Sequence, residues 1–166
     1  MIYFLRIISV SFLLANCGGD SDNDETEKPQ LQVHLTLLDV FGQKSDGFIQ
    51  GENIEFSLAI TNNADEAVTL HFISTLQYDF YIKSSSDTEI WRWSVGKCFG
   101  DALTEWVVPA LETVVVTETW DQTLHDPEFL GCVQPPGGEN IAIGRYTAFG
   151  SFLDQSPKAE FNFTIQ

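Results

Sequence analysis

Ile54-Glu55-Phe56-Ser57-Leu58-Ala59-Ile60 sets an apolar side chain at every second position. A helix would scatter those side chains around its circumference, whereas a strand puts all of them on one face with Glu55 and Ser57 on the other. The same period of two recurs outward in both directions. Leu31, Val33, Leu35 and Leu37 share one parity upstream; Val68, Leu70 and Phe72 form a further set downstream, and Phe161, Phe163 and Ile165 end the sequence. Between these lie Tyr78, Phe80 and Ile82, the pair Trp91 and Trp93, a mixed run over 111–120 and another over 141–153. Asp46-Gly47, Asn62-Asn63, Ser84-Ser85-Ser86-Asp87 and Pro135-Pro136-Gly137-Gly138 separate the runs with residues that favour turns. No segment keeps a helical period. About seven or eight short strands at this spacing predict an all-β domain, an immunoglobulin-like antiparallel β-sandwich, with a closed barrel as the competing architecture.

Composition supports a packed fold and narrows the partners. The chain of 166 residues suits one domain, and its 43% hydrophobic and 13% aromatic content is enough to build a core rather than a solvated coil. The formal net charge of −16 repels phosphate backbones and anionic headgroups, so nucleic acid is excluded as an expected partner.

The first residues carry an address. Arg6 precedes an apolar run over 7–15 that is shorter than the ~20 residues a membrane-spanning helix needs, and reads as an export signal. The run ends in Leu14-Ala15-Asn16-Cys17, which resembles the lipobox of bacterial lipoproteins, with Asn16 where Gly, Ala or Ser is usual. The resemblance implies a signal peptide over 1–16, cleavage before Cys17, lipidation of that thiol and attachment to the cell envelope. Gly18 after the Cys implies the outer membrane in a cell that has two. Residues 18–30 hold Asp20, Asp22, Asp24, Glu25 and Glu27 against Lys28, and read as an acidic tether spanning roughly 20 Å. A calcium loop is excluded there, because Glu25 and Leu31 stand where an EF-hand requires Gly and Glu. The folded domain is expected over 31–166.

Export also accounts for the cysteines. With Cys17 assigned to lipid, Cys98 and Cys132 form an even pair in an oxidising compartment, and are expected to be bridged. Closing that loop stabilises by roughly 3 to 4 kcal/mol in the chain-entropy model.

The middle of the chain holds a set of aromatic and charged motifs. Phe72-Ile73-Ser74-Thr75-Leu76-Gln77-Tyr78-Asp79-Phe80 is followed by Ile90-Trp91-Arg92-Trp93-Ser94-Val95-Gly96-Lys97-Cys98-Phe99, then Trp120-Asp121 and Gly144-Arg145-Tyr146. Together these resemble the BsuPI family, the intracellular proteinase inhibitor domain, over about 54–153. The resemblance implies an immunoglobulin-like fold, a protein partner such as a serine protease, and no catalysis. The sequence departs from the family pattern at Thr75 and Leu76, where Gly-Gln is usual, at Cys98 inside the Gly-Lys-x-Phe element, and in a lengthened segment after Asp121.

Trp91 and Trp93 lie two apart and are expected to share a strand face, filling the core against Phe80 and Trp120. The alternative is an exposed aromatic platform flanked by Arg92 and Asp79 that grips a partner. Tyr146 is expected to bond back to a loop from its strand. The long segment 121–140 is the second candidate, since loops of this length in compact domains tend to be functional or mobile. Cys132, Val133, Gln134, Pro135 and Pro136 would present a stiffened loop to a protease, because preorganisation lowers the entropy lost on binding. A connector pinned by the bridge is the simpler reading of the same residues.

Motifs for chemistry are absent. His34 and His71 sit on polar strand parities and His125 lies in a loop, none at metal-ligand spacing, and the sequence contains no H-E-x-x-H, C-x-x-C, G-x-S-x-G or phosphate-cradling glycine loop. No cofactor, metal or enzymatic activity is expected.

Overall fold

The computed structural model describes residues 30–125, 131–133, 138–153 and 158–166. Cys17 and residues 18–29 of the acidic tether lie outside them, as do Gln134, Pro135 and Pro136. Ten strands run in chain order: β1 (Leu31–Leu38), β2 (Gly47–Phe48), β3 (Ile54–Asn62), β4 (Val68–Phe72), β5 (Tyr78–Ser84), β6 (Glu89–Arg92), β7 (Thr104–Val108), β8 (Thr113–Trp120), β9 (Gly144–Phe152) and β10 (Ala159–Ile165). No helix occurs among the described residues.

One layer has the order β1-β3-β8 and the other β2-β10-β9-β5-β6, antiparallel except where β2 lies parallel to β10. A β4–β7 ribbon continues the β3–β8 ladder past a bend. At that bend the fully buried Asn62 donates from Nδ2 to the carbonyls of Glu66, Val108 and Pro109, at 2.7, 3.2 and 3.2 Å, and accepts from the Ala64 N–H. An apolar residue here would leave the groups where the two strands change direction unpaired.

The inward faces are those the alternation marks. Ile54, Phe56, Leu58 and Ile60 are fully buried, and Leu35, Leu37, Phe163 and Ile165 join them. Phe56 of one layer meets Phe80 and Trp91 of the other at 5.4 and 5.5 Å between ring centroids, and Trp120 packs on Trp91 at 5.5 Å. The layers come so close at β9 that a Cβ on Gly150 would lie 2.9 Å from Leu58 and 3.2 Å from Phe80, which is why this strand carries a glycine there. Open sheets packed face to face make the domain a β-sandwich and not a barrel. Its ten strands exceed the expected number because the two-residue β2 and the short β7 leave weak local patterns.

The expected tyrosine contact is present. Tyr146 donates from Oη to the Ala142 carbonyl at 2.7 Å, fixing the entry to β9.

Candidate functional site

The Trp-Arg-Trp-Ser and Tyr-Asp-Phe motifs meet where β6 pairs with β5. Asp79 is 3% exposed, and its carboxylate is saturated. Oδ1 accepts from the N–H groups of Phe80 (2.9 Å) and Ser94 (3.1 Å), and Oδ2 from the Arg92 guanidinium and the Ser94 hydroxyl, both at 2.8 Å. Arg92 also forks onto Glu89 at 2.8 and 2.6 Å and lies 4.7 Å from the Tyr81 ring centroid. Its hydrogen bonds to the Glu89 and Asp79 carboxylates hold the guanidinium well above the ordinary arginine pKa, against partial burial. The assembly is a clasp: a carboxylate on β5 fixes the turn by which the chain leaves β6. A buried charge is tolerated because every lone pair it offers is used.

The exposed platform is therefore not formed. Asp79 is buried, Trp91 is 4% exposed and Arg92 is committed within the domain. Trp93 differs from Trp91. It follows the last residue of β6, its N–H donating to the Phe80 carbonyl at 2.9 Å, and its half-buried indole stacks on Tyr78 at 4.9 Å with Phe99 at 5.9 Å. The Lys97 ammonium sits 3.4 Å over the ring. Partial desolvation there lowers the lysine pKa, opposed by the charges of Glu118 and Asp79.

Trp91, Trp93, Lys97, Glu118, Trp120 and His125 border a cleft of about 450 Å³ on the side of the sandwich where β6 and β8 are the outermost strands. Its acceptors are largely engaged. Glu118 receives the Tyr78 hydroxyl at 2.8 Å, and burial together with this carboxylate pushes the Tyr78 pKa up to about 12. Asp121 caps Thr123, accepting its N–H at 3.1 Å and its hydroxyl at 2.6 Å. Trp120 donates from Nε1 to the Thr123 carbonyl at 2.9 Å. In contrast, Trp93 Nε1 and His125 Nδ1 are buried without a hydrogen-bond partner. Burial also lowers the His125 pKa, against the Arg92 carbonyl and Asp121.

Cys98 and Cys132 are bridged, with Cα atoms 5.0 Å apart across a sequence separation of 34. The bridge ties the middle of the β6–β7 connection to the segment between β8 and β9. Val133 beside it is 65% exposed, which leaves this end of the proposed loop open to a partner. Among the described residues no group of three His, Cys, Asp or Glu side chains is placed to hold a metal. His71 pairs with Glu105 at 3.2 Å on the surface, far in role from the cleft histidine.

Gln122 was missing from the sequence reading. It is fully buried in the left-handed region at φ 64°, accepts the Gly51 N–H at 2.9 Å and donates to the Ile49 carbonyl at 2.8 Å, while its own carbonyl takes the Ile141 N–H at 2.8 Å. A backbone conformation of this kind persists in a non-glycine residue only when its surroundings hold it. Gln122 thus fixes the exit from β8 just below the cleft. Nothing in the local sequence marks it, since its partners are distant in the chain.

A family model described as BsuPI, intracellular proteinase inhibitor, matches residues 43–156. No curated protein matches the chain. Among solved structures, a β-glucosidase from Erythrobacter marinus aligns at 12% identity and a TM-score of 0.46, covering 82% of this chain and 15% of that one. A β-glucosidase from Listeria innocua aligns at 13% and 0.43, covering 82% and 16%. The alkylpurine DNA glycosylase AlkC of Pseudomonas fluorescens aligns at 12% and 0.42, covering 84% and 31%. The chain thus spans less than a third of each. The family match takes in both halves of the clasp, the bridge and β9, over well more than half of the sequence, and the chain belongs to the BsuPI family of intracellular proteinase inhibitors.

Proposed function

We propose that this protein is a proteinase inhibitor that acts by binding its target protease, exported and held to the bacterial cell envelope through lipid on Cys17. Membership in an inhibitor family carries the first part of the reading. The bridge between Cys98 and Cys132 supports it, since a stiffened segment loses less entropy on docking. Residues 132–136 are the assigned contact, with Val133 exposed beside the bridge. The Leu14-Ala15-Asn16-Cys17 motif supports the anchor. Titration of the purified chain against serine proteases, subtilisin-like ones included, tests the activity: saturable inhibition is expected, and replacement of 132–136 by a Gly-Ser linker should abolish it. For the anchor, Cys17→Ser should move the protein from the membrane fraction to the soluble one.

A second reading, an immunoglobulin-like binding module without inhibition, is favoured by one observation. The residues that mark the family, Asp79 and Trp91 above all, are buried and hold the fold together, so their presence does not require an inhibitory contact. An absence of inhibition at micromolar concentrations of the chain would select it.

A further inference from the structure

We propose that the free edge of β8 takes an extended, basic peptide segment of a partner protein as an added strand; the proposal rests on the reading of the chain as a protein-binding module, and not on inhibition itself. The Asn62 N–H donates to the Glu112 carbonyl at 2.9 Å, and the register continues through Ile60 with Val114, Leu58 with Val116, Phe56 with Glu118 and Ile54 with Trp120. Antiparallel pairs alternate between bonded and non-bonded, so Thr113, Val115, Thr117 and Thr119 turn their N–H and C=O groups away from β3. Their side chains are exposed as well. Among the described residues no strand pairs with that edge.

Sheet edges of soluble proteins are ordinarily guarded by brevity, bulges, lysine, proline or a covering segment. Two of the other outermost strands follow this rule. β2 has two residues, and β6 has four, with a register shift at Ile82 and Lys83 where it meets β5; β1 is as long as β8 and pairs in unbroken register with β3, but carries no acidic side chain. β8 runs for eight residues with an unbroken register and has neither lysine nor proline. A row of outward amide and carbonyl groups at a two-residue repeat is matched by the backbone of another strand, the chemistry of strand addition.

Charge selects the occupant. Residues 104–121 carry Glu105, Glu112, Glu118 and Asp121 and no lysine or arginine. Lys97, across the cleft, is engaged by the Trp93 ring. Pairing of β8 with β8 of a second copy would set these carboxylates against their equivalents in two chains of net charge −16, whereas a basic segment meets complementary charge. Side chains of the added strand near Thr119 would reach the cleft beside Trp93 and Trp120.

The experiment measures binding of a fluorescent, capped octapeptide of alternating lysine and valine to the purified chain, with a glutamate-valine peptide beside it. Saturable binding of the basic peptide that weakens with salt, and none of the acidic one, is expected. Val115→Pro removes one outward N–H without touching the β3 ladder, and should weaken binding by about tenfold. Thr117→Lys, which leaves the backbone unchanged, should weaken it by a similar factor and guards against a proline variant that fails to fold. Failure of the basic peptide to bind, binding by both variants as tight as that of wild type, or association of the chain with itself through β8 overturns the proposal. Protease inhibition that survives both variants while their peptide binding is lost supports it and leaves the inhibitor reading standing, because the two contacts are then separate. Peptide binding lost in both variants, from a chain that inhibits no protease, supports it while the inhibitor reading fails.

Discussion

Asp79 and Trp93 lie at the two faces of one turn, and their polar atoms meet opposite ends. The buried carboxylate has four donors drawn from two strands and the turn itself, whereas the indole N–H of Trp93 has no partner, and its ring carries a lysine from the same chain. Both residues belong to the motifs that mark the family. One closes the fold, and the other borders the cleft beside an unguarded strand edge. Family motifs therefore mix residues that build the sandwich with residues that face outward from it, and the hydrogen-bond inventory separates them where the sequence does not.

The largest expected effect lies at the bridge that holds the cleft side in place. Replacement of Cys98 and Cys132 by Ser should cost roughly 3 to 4 kcal/mol of stability in the chain-entropy model, read as a lower urea midpoint. Asp79→Ala should cost about 2 to 3 kcal/mol, because it leaves the N–H groups of Phe80 and Ser94 without acceptors while Arg92 keeps Glu89. A loss below about 0.5 kcal/mol would mean that the clasp is not what fixes the turn, and would erase the contrast with Trp93.

Two tryptophan variants sharpen the same contrast at smaller amplitude. Trp120→Phe removes buried area and leaves the Thr123 carbonyl without its donor, so a loss of about 1 to 2 kcal/mol is expected in urea melts. Trp93→Phe keeps the stack on Tyr78 and removes an N–H that bonds to nothing, so it should cost less than about 0.5 kcal/mol. Equal losses at both positions would show that the Trp93 indole is held by something other than its ring contacts.

Much of this contrast was open to a reader of the sequence, and part of it was not. The period of two found the buried faces of β1, β3, β4 and β10, because one side of each strand meets the core along its whole length. It missed β2, two residues whose strand character comes from parallel pairing of Ile165 with Phe48. It missed β7 too, although Trp106 and Val108 do share a parity; the exposed Val107 between them obscures it. Asn62 read as a turn residue, which it is, but its burial depends on Val108 and Pro109 far along the chain. The motif residues were visible as letters. Their division into clasp and cleft was not, since it depends on which atoms have partners after folding.

His125 gives the mildest test of the cleft side. Its ring lies 5.9 Å from Trp91, half-buried, with Nδ1 unpartnered, and burial lowers its pKa from the ordinary 6.5. The folded chain then binds fewer protons at this site than the unfolded one, so the contribution is intact above pH 6.5 and is lost as pH falls from there through the folded value. Urea midpoints compared above and below pH 6.5 should fall on acidification, and His125→Asn should flatten that step. An undiminished step in His125→Asn would remove the histidine from the cleft's unsatisfied groups and leave Trp93 as its remaining contrast with the clasp.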